Sequence, residues 1–155
     1  MGGLDREGDA DWTEFLSYRA WASGSSFSIS RKNFDSVGGF SERLNKFQDV
    51  DFWVRCAHTL GAAYALPTSY TNYSVSDAPS VSKVTSQVEE NLSRLFEGWP
   101  FASPEQLATF SSHAYLTVAE VTPWPKSVDL FKKAHWPVSK PFFWKSLYQS
   151  LRRSA

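Results

Sequence analysis

The stretch that decides the fold is residues 48–61, which read QDVDFWVRCAHTLG. Apolar side chains recur in it at spacings of three, four and seven residues, as they do on one face of an α-helix. These side chains are Val50, Trp53, Val54 and Ala57. Two acids lie in the first turn, where a carboxylate interacts favourably with the helix dipole, and Gly61 follows as a stop signal. The pattern predicts a helix that begins near Gln48 and packs Trp53 into the core.

A shorter strand and helix are predicted before this central helix. Residues 27–29 alternate apolar and polar side chains, as a strand does. Ser30 stands where a helix N-cap is expected, ahead of residues 31–37. Gly38 and Gly39 follow as a stop, because glycine tolerates the left-handed conformation found at helix ends.

Beyond the central helix the pattern changes from strands to helices. Residues 62–66 and 69–75 are strand candidates separated by a turn at Pro67. After residue 80 the apolar period becomes helical, and prolines divide the chain into separate helices. These predicted helices cover about residues 84–95, 104–118, 126–135 and 142–153.

Composition narrows the class of protein. The 155 residues include seven Trp, twelve Phe and six Tyr, enough apolar surface to fold one domain rather than remain disordered. The net charge is zero, so we expect no nucleic-acid partner. The single cysteine, Cys56, fits a reducing compartment. Because the N-terminus is acidic and no apolar run is long enough to span a bilayer, we expect a cytoplasmic protein.

Three pieces of the chain, in this order and spacing, resemble the family-2 glycosyltransferases of the GT-A fold. Residues 23–42, SGSSFSISRKNFDSVGGFSE, are similar to the family's small-residue strand, basic helix and Gly-Gly-Phe turn. Residues 48–61 are similar to its Glu-Asp-x-Asp-hydrophobic-Trp-x-Arg helix. Residues 64–82, YALPTSYTNYSVSDAPSVS, are similar to the strand pair that follows. The resemblance covers about sixty residues directly.

The resemblance implies an α/β fold: a partial GT-A-type sheet with flanking helices, followed by a helical C-terminal tail. Judged on these residues alone the class would be α+β. The predicted organisation is an N-terminal segment at 1–22, the acceptor-side half of a glycosyltransferase domain at 23–82, and a helical region at 83–155. No βαβ nucleotide-binding unit is recognised before residue 23, so we expect the nucleotide-sugar half to be missing or supplied by another chain.

The implied reaction transfers a sugar, with inversion, from a nucleotide-sugar to an acceptor hydroxyl of a glycan or lipid-linked acceptor. Asp49 corresponds to the family's general base, which takes the hydroxyl proton as the oxygen attacks; alternatively it only helps to cap its helix. Gln48 replaces the family's Glu and keeps hydrogen-bonding capacity without the charge. Asp51 is a candidate ligand of acceptor hydroxyls, or else an ion-pair partner of Arg55 four residues later.

Four further residues are substrate-binding candidates by the same resemblance. Phe52 is predicted to stack on a sugar ring, because it lies off the apolar face that carries Trp53. Gly38 and Gly39 form a turn near the acceptor in the family, although a helix stop followed by a buried Phe40 explains them equally well. Arg31 is a candidate contact to the diphosphate, or else a surface charge.

No metal ligand is predicted in this chain. Residues 9–11 carry the letters Asp-Ala-Asp of a metal motif, but we interpret them as a coincidence, because they lie in a flexible acidic N-terminus with no strand before them. A divalent metal, Mg²⁺ or Mn²⁺, is expected with the missing half. We therefore expect the chain alone to be inactive. The alternative function is a non-catalytic remnant or an acceptor-binding module.

The C-terminal tail is basic and aromatic. After Asp129 the sequence has no acid, while six Lys and Arg residues are interleaved with Phe, Trp and Tyr over residues 131–153. This composition suits contact with the inner face of a membrane. The alternative, which we favour at this stage, is a pair of terminal helices whose aromatic side chains pack on the domain.

Overall fold

The computed structural model describes residues 8–16, 27–61, 63–65, 87–134 and 140–153. Within these residues it contains seven helices and one pair of three-residue strands. The strands are β1 (Gly8–Ala10) and β2 (Ala63–Ala65). The helices are α1 (Trp12–Leu16), α2 (Arg31–Val37), α3 (Gln48–Leu60), α4 (Val88–Glu97), α5 (Pro104–Val121), α6 (Val128–Lys133) and α7 (Lys140–Arg152).

The predicted α/β fold class is wrong, because the described chain is mainly helical. Its sheet is the antiparallel pair of β1 and β2, in which Gly8 lies opposite Ala65. The strand predicted at 62–66 is confirmed over 63–65. Residues 27–29 form no strand, since Phe27 stacks on Trp53 of α3 instead of pairing along an edge. The predicted strand at 69–75 lies outside the described residues.

Helix α2 is bounded by the signals found in the sequence. The Ser30 side chain accepts a hydrogen bond from the backbone N–H of Asn33, as an N-cap does. At the other end Gly38 and Gly39 both have positive φ. The N–H of Gly39 donates to Phe34 O at 3.1 Å, and that of Gly38 donates to Asp35 O at 3.1 Å. This Schellman pattern ends α2 and turns the chain back towards α3.

Helix α3 is the centre of the molecule, as its apolar face predicted. α1 and α2 both pack against it, and Trp53 is buried as expected. The residue before the helix, Phe47, has a left-handed φ of 66° and offers no side-chain cap. Burial of the Phe47 ring against Phe110 holds this uncommon conformation.

The four predicted C-terminal helices are confirmed. α5 is the longest and packs against α1, α4, α6 and α7. Leu16, Val54 and Phe110 belong to one buried cluster, so the three predicted segments share a core. The predicted boundaries at residues 22–23 and 82–83 lie outside the described residues. None of the described helices combines the length and the apolarity that crossing a bilayer requires.

Candidate functional site

The first two turns of α3 carry the candidate site, and Asp51 is its most buried acid. Its Oδ2 accepts hydrogen bonds from Arg55 Nε at 2.9 Å and from Arg55 Nη2 at 2.7 Å. Its Oδ1 accepts a third from Trp99 Nε1 at 3.1 Å. Both oxygens therefore face protein donors, and the Asp51 side chain is 5% exposed. The structure places Asp51 in an internal ion pair rather than at a surface where acceptor hydroxyls bind.

Arg55 connects this ion pair to the turn after α2. Its Nη1 donates to Val37 O at 2.7 Å and its Nη2 donates to Gly39 O at 2.8 Å. A Cβ at Gly39 would lie 3.0 Å from the Phe34 ring, so the turn is tightly packed as well as left-handed. We call Asp51, Arg55, Trp99 and the carbonyls of Val37 and Gly39 the clamp, because together they fix the turn against α3.

Asp49 lies on a different side of α3. It is half-buried and sits in the first turn, one turn before Phe52 and Trp53 on the same helical face. Its Oδ1 lies 2.9 Å from the backbone nitrogen of Val50, which donates to it. Gln48, the first residue of α3, is also half-buried. Asp49 and Gln48 are thus the polar side chains of this turn that keep contact with solvent.

Phe52 is in the core, so the predicted stacking surface for a sugar is not where the sequence placed it. The side chain is 1% exposed. Its ring centroid lies 5.2 Å from that of Phe34, 4.7 Å from that of Phe40 and 5.2 Å from that of Trp53. The Arg55 guanidinium also lies over this ring, with its Cζ 5.8 Å from the Phe52 centroid. A ring in such a position stabilises the fold through burial.

Phe40, rather than Phe52, is the accessible aromatic residue in this region. One interpretation of the sequence was a helix stop followed by a buried Phe40, whereas Phe40 is 49% exposed. Phe40 contacts the buried aromatic cluster with one side and solvent with the other. Two consecutive left-handed glycines turn the chain just before it, and the clamp holds that turn. No local pattern in the sequence specified that Phe40 is exposed.

Arg31 lies away from this turn of α3. It is the first residue of α2, and its Nε donates to both Asp35 carboxylate oxygens at 2.9 Å. Both side chains are exposed. Arg31 therefore lies where the alternative interpretation, a surface charge, placed it. Among the described residues, no contact joins Arg31 to Asp49 or Gln48.

A cavity of about 260 Å³ opens beside the clamp and not beside Asp49. Arginines dominate its wall, and each is paired with an acid: Arg55 with Asp51, Arg43 with Glu97, and Arg94 with Glu90. Its lining residues are Gly38, Ser41, Arg43, Leu44, Asp51, Arg55, Arg94 and Gly98. The ion pair of Arg43 with Glu97 holds the loop of residues 41–47 against α4. Because the charged groups that line the cavity pair with acids of the protein, the cavity adds no residue to the candidate site.

The described residues do not fit the divalent metal that the resemblance implies. No group of three or more His, Cys, Asp or Glu among them could hold a metal ion. Asp11 accepts hydrogen bonds from the backbone N–H groups of Thr13 at 2.8 Å and Glu14 at 3.1 Å, which makes it the N-cap of α1. Asp9 lies in β1, and the residues before Gly8 lie outside those described.

Two buried titratable groups lie near the candidate site, Cys56 within α3 and Lys46 just before it. Burial raises the pKa of the Cys56 thiol to about 11, so the thiol stays protonated and is a poor nucleophile at neutral pH. Burial also lowers the pKa of Lys46, whose Nζ lies 5.8 Å from the centroid of the Phe47 ring. Asp49 is the half-buried carboxylate in the first turn of α3.

No protein-family model, curated protein or solved structure matches the chain. The likeness of residues 23–82 to family-2 glycosyltransferases thus rests on its motifs, and it stays a prediction.

Proposed function

We propose that this chain forms the acceptor-side part of an inverting glycosyltransferase, with Asp49 as the general base. One observation carries the assignment: the two carboxylates of the QDVD segment are separated, Asp51 into a buried clamp and Asp49 onto a half-open turn. A general base must be both accessible and fixed in position. Asp49 meets both needs, because the clamp and the buried Phe47 hold the start of α3.

The acceptor would lie against Asp49, Gln48 and Phe40. Phe52 follows Asp49 by one helical turn, and the Phe40 ring lies 4.7 Å from the Phe52 ring, so Asp49 and Phe40 border the same aromatic cluster. The exposed side of Phe40 is a flat apolar surface suited to the C–H face of a sugar ring. Gln48 supplies an amide that can both donate to and accept from sugar hydroxyls.

In the proposed step the acceptor hydroxyl transfers its proton to the Asp49 carboxylate as its oxygen attacks the anomeric carbon. The bond from that carbon to the diphosphate breaks, and the nucleoside diphosphate leaves with the electron pair. The residues that bind the nucleotide-sugar and a divalent metal are assigned to a partner chain or to residues outside those described. A cytoplasmic location belongs to the same proposal.

A non-catalytic acceptor-binding module is the second candidate. It is favoured by the mainly helical architecture of the described residues, which contain a single two-stranded ribbon. A partial nucleotide-binding sheet would need parallel strands joined by helical crossovers. In this case the same surface at Phe40 and Gln48 would bind a glycan, and Asp49 would serve only as a hydrogen-bonding group.

Acceptor binding is tested first, on the purified chain, by saturation-transfer NMR against a panel of oligosaccharides. We expect binding that Phe40→Ala abolishes and Asp49→Asn preserves, because a carboxamide keeps the shape and hydrogen-bonding capacity of the carboxylate. Tyr64→Ala is the matched control, since Tyr64 is an exposed aromatic residue on β2. Binding that survives Phe40→Ala, or that is lost equally in Tyr64→Ala, would exclude this surface for both candidate functions.

The two candidates are then separated by sugar transfer. The chain is combined with the product of the reading frame immediately upstream, a nucleotide-sugar, Mn²⁺ and the bound oligosaccharide, and transfer is followed by mass spectrometry. Asp49→Asn should lower turnover by about 10²- to 10⁴-fold, the usual contribution of a general base. Unchanged turnover in that variant would exclude Asp49 as the base, and glycan binding without any transfer would leave the binding module.

A further inference from the structure

Two serines lie on the inward face of α7. Ser146 and Ser150, one helical turn apart, are fully buried. Ser150 Oγ donates to Thr122 O at 2.9 Å and lies 2.6 Å from Ser127 Oγ. Ser146 Oγ donates to Glu120 Oε1 at 3.0 Å. Small hydroxyl side chains therefore let α7 approach the end of α5 closely.

The outward face of α7 carries three large apolar side chains. Trp144, Tyr148 and Leu151 recur at spacings of four and three residues, which places them in one row along the helix. We call this row the α7 stripe. Trp144 and Tyr148 are each 63% exposed, and Leu151 is also exposed. Because the stripe contributes little to the core, its composition is not explained by the stability of the fold.

Cations lie along one side of the α7 stripe. Lys145 and Arg152 are seven residues apart, so they share a side of the helix, next to Trp144 and Leu151, and both are exposed. Lys145 also reaches Glu120 on α5, with 3.6 Å between its Nζ and the Oε1. Beyond Asp129 the sequence carries six Lys or Arg residues and no Asp or Glu. Three of these six have acidic partners, Asp129, Glu89 and Glu120, so cations remain in excess over acids in this part of the chain.

We propose that the α7 stripe docks the protein on the surface of an anionic lipid bilayer, with α7 lying parallel to the membrane plane. Tryptophan and tyrosine favour the headgroup region, where an apolar ring and a polar N–H or O–H are both satisfied. Leu151 reaches towards the acyl chains, while Lys145 and Arg152 meet lipid phosphates. A second copy of the chain is a poorer occupant, since it would bring a second set of excess positive charges against the first. This inference does not depend on the proposed sugar transfer.

The test is sedimentation of the full chain with vesicles of phosphatidylcholine alone or mixed with phosphatidylglycerol. We expect binding to the mixed vesicles and little binding to the neutral ones. The paired change Lys145→Gln and Arg152→Gln should weaken binding to the mixed vesicles by roughly tenfold or more, because each cation near an anionic surface strengthens binding several-fold. Tyr148→Ser should weaken binding to both kinds of vesicle, whereas Tyr148→Phe should retain most of it.

Tyr64→Ser is the matched control, because Tyr64 is 60% exposed but lies on β2, away from the stripe. It should bind vesicles like the unaltered chain. The proposal is overturned if the unaltered chain does not sediment with mixed vesicles, or if Tyr64→Ser loses as much binding as Tyr148→Ser. It is also overturned if Tyr148→Ser converts a dimer into a monomer without changing vesicle binding, since the stripe would then be an interface between copies.

Discussion

Helices α3 and α7 have the same length, thirteen residues, and both are rich in aromatic side chains, yet they bury opposite kinds of residue. α3 buries Phe52 and Trp53. α7 buries Ser146 and Ser150 and exposes Trp144 and Tyr148. Helical spacing identifies the residues that share a face in both cases. Which face turns inward is decided by the neighbours.

The two helices pack against different neighbours. α3 packs against α1, α2 and the aromatic residues before and after α2, and large rings fill the space between them. α7 packs chiefly on α5, where serines allow a close approach and hydrogen-bond to the end of that helix. The distance between packed helices depends on the side chains at their contact. The serines between α7 and α5 and the phenylalanines around α3 both follow from this dependence.

The largest predicted difference in unfolding free energy is between replacing a buried aromatic residue of α3 and replacing an exposed one of α7. Phe52→Ala should lower the free energy of unfolding by about 3–5 kcal/mol, because it removes a buried ring and leaves a cavity. Trp144→Ala should change it by less than about 0.5 kcal/mol, because the ring is mostly in solvent. Urea unfolding of both variants measures the difference. Similar losses in the two would show that α7 does not present Trp144 to solvent.

The second prediction contrasts the clamp with a surface ion pair of the same spacing. Asp51→Asn should cost about 3 kcal/mol, near the lower end for a broken buried pair, because Arg55 keeps two backbone acceptors and is 20% exposed. Asp35→Asn removes the exposed partner of Arg31 and should cost less than about 0.5 kcal/mol. Urea unfolding again provides the measurement. Equal costs would mean that the clamp contributes no more than a surface pair.

The third prediction concerns the serines under α7. Ser150→Ala should cost about 1–2 kcal/mol, because Thr122 O loses a buried donor and Ser127 loses its hydroxyl partner. Tyr148→Ser, two residues earlier on the outward face, should leave the unfolding free energy nearly unchanged. The reverse order of effects would contradict the orientation of α7 and, with it, the membrane-facing stripe.

The smallest effect is expected from pH, through the helix that supports α7. Burial lowers the pKa of His113 on α5 below its ordinary 6.5. Below that value the unfolded chain binds a proton that the folded chain does not, so stability falls as the pH drops from 6.5 through the lowered pKa. The slope for one proton cannot exceed about 1.4 kcal/mol per pH unit. His113→Gln should flatten this part of a stability profile measured by urea unfolding, and an unchanged slope would exclude His113 as its source.

The helices of the fold were predictable because their signals are local. Ser30, Gly38 and Pro104 mark helix ends through contacts within a few residues, and the structure ends or begins helices there. The sheet was mispredicted because strand pairing is not local. β1 pairs with β2 across more than fifty residues of chain, and a three-residue alternation at 27–29 does not specify a partner.

By itself the sequence determined which side chains share a helical face and which close pairs can meet, including the ion pair of Asp51 with Arg55. Spacings of three and four residues fix these relations regardless of what surrounds the helix. Trp99, 48 residues further along the chain, donates to Asp51, and Arg55 donates to the carbonyl of Gly39. Only the tertiary structure decided these two contacts. It also placed Phe52 inside, Phe40 outside and Trp144 and Tyr148 of α7 in solvent. Burial depends on the partners that arrive from distant parts of the chain, and no local pattern specifies which partners those are.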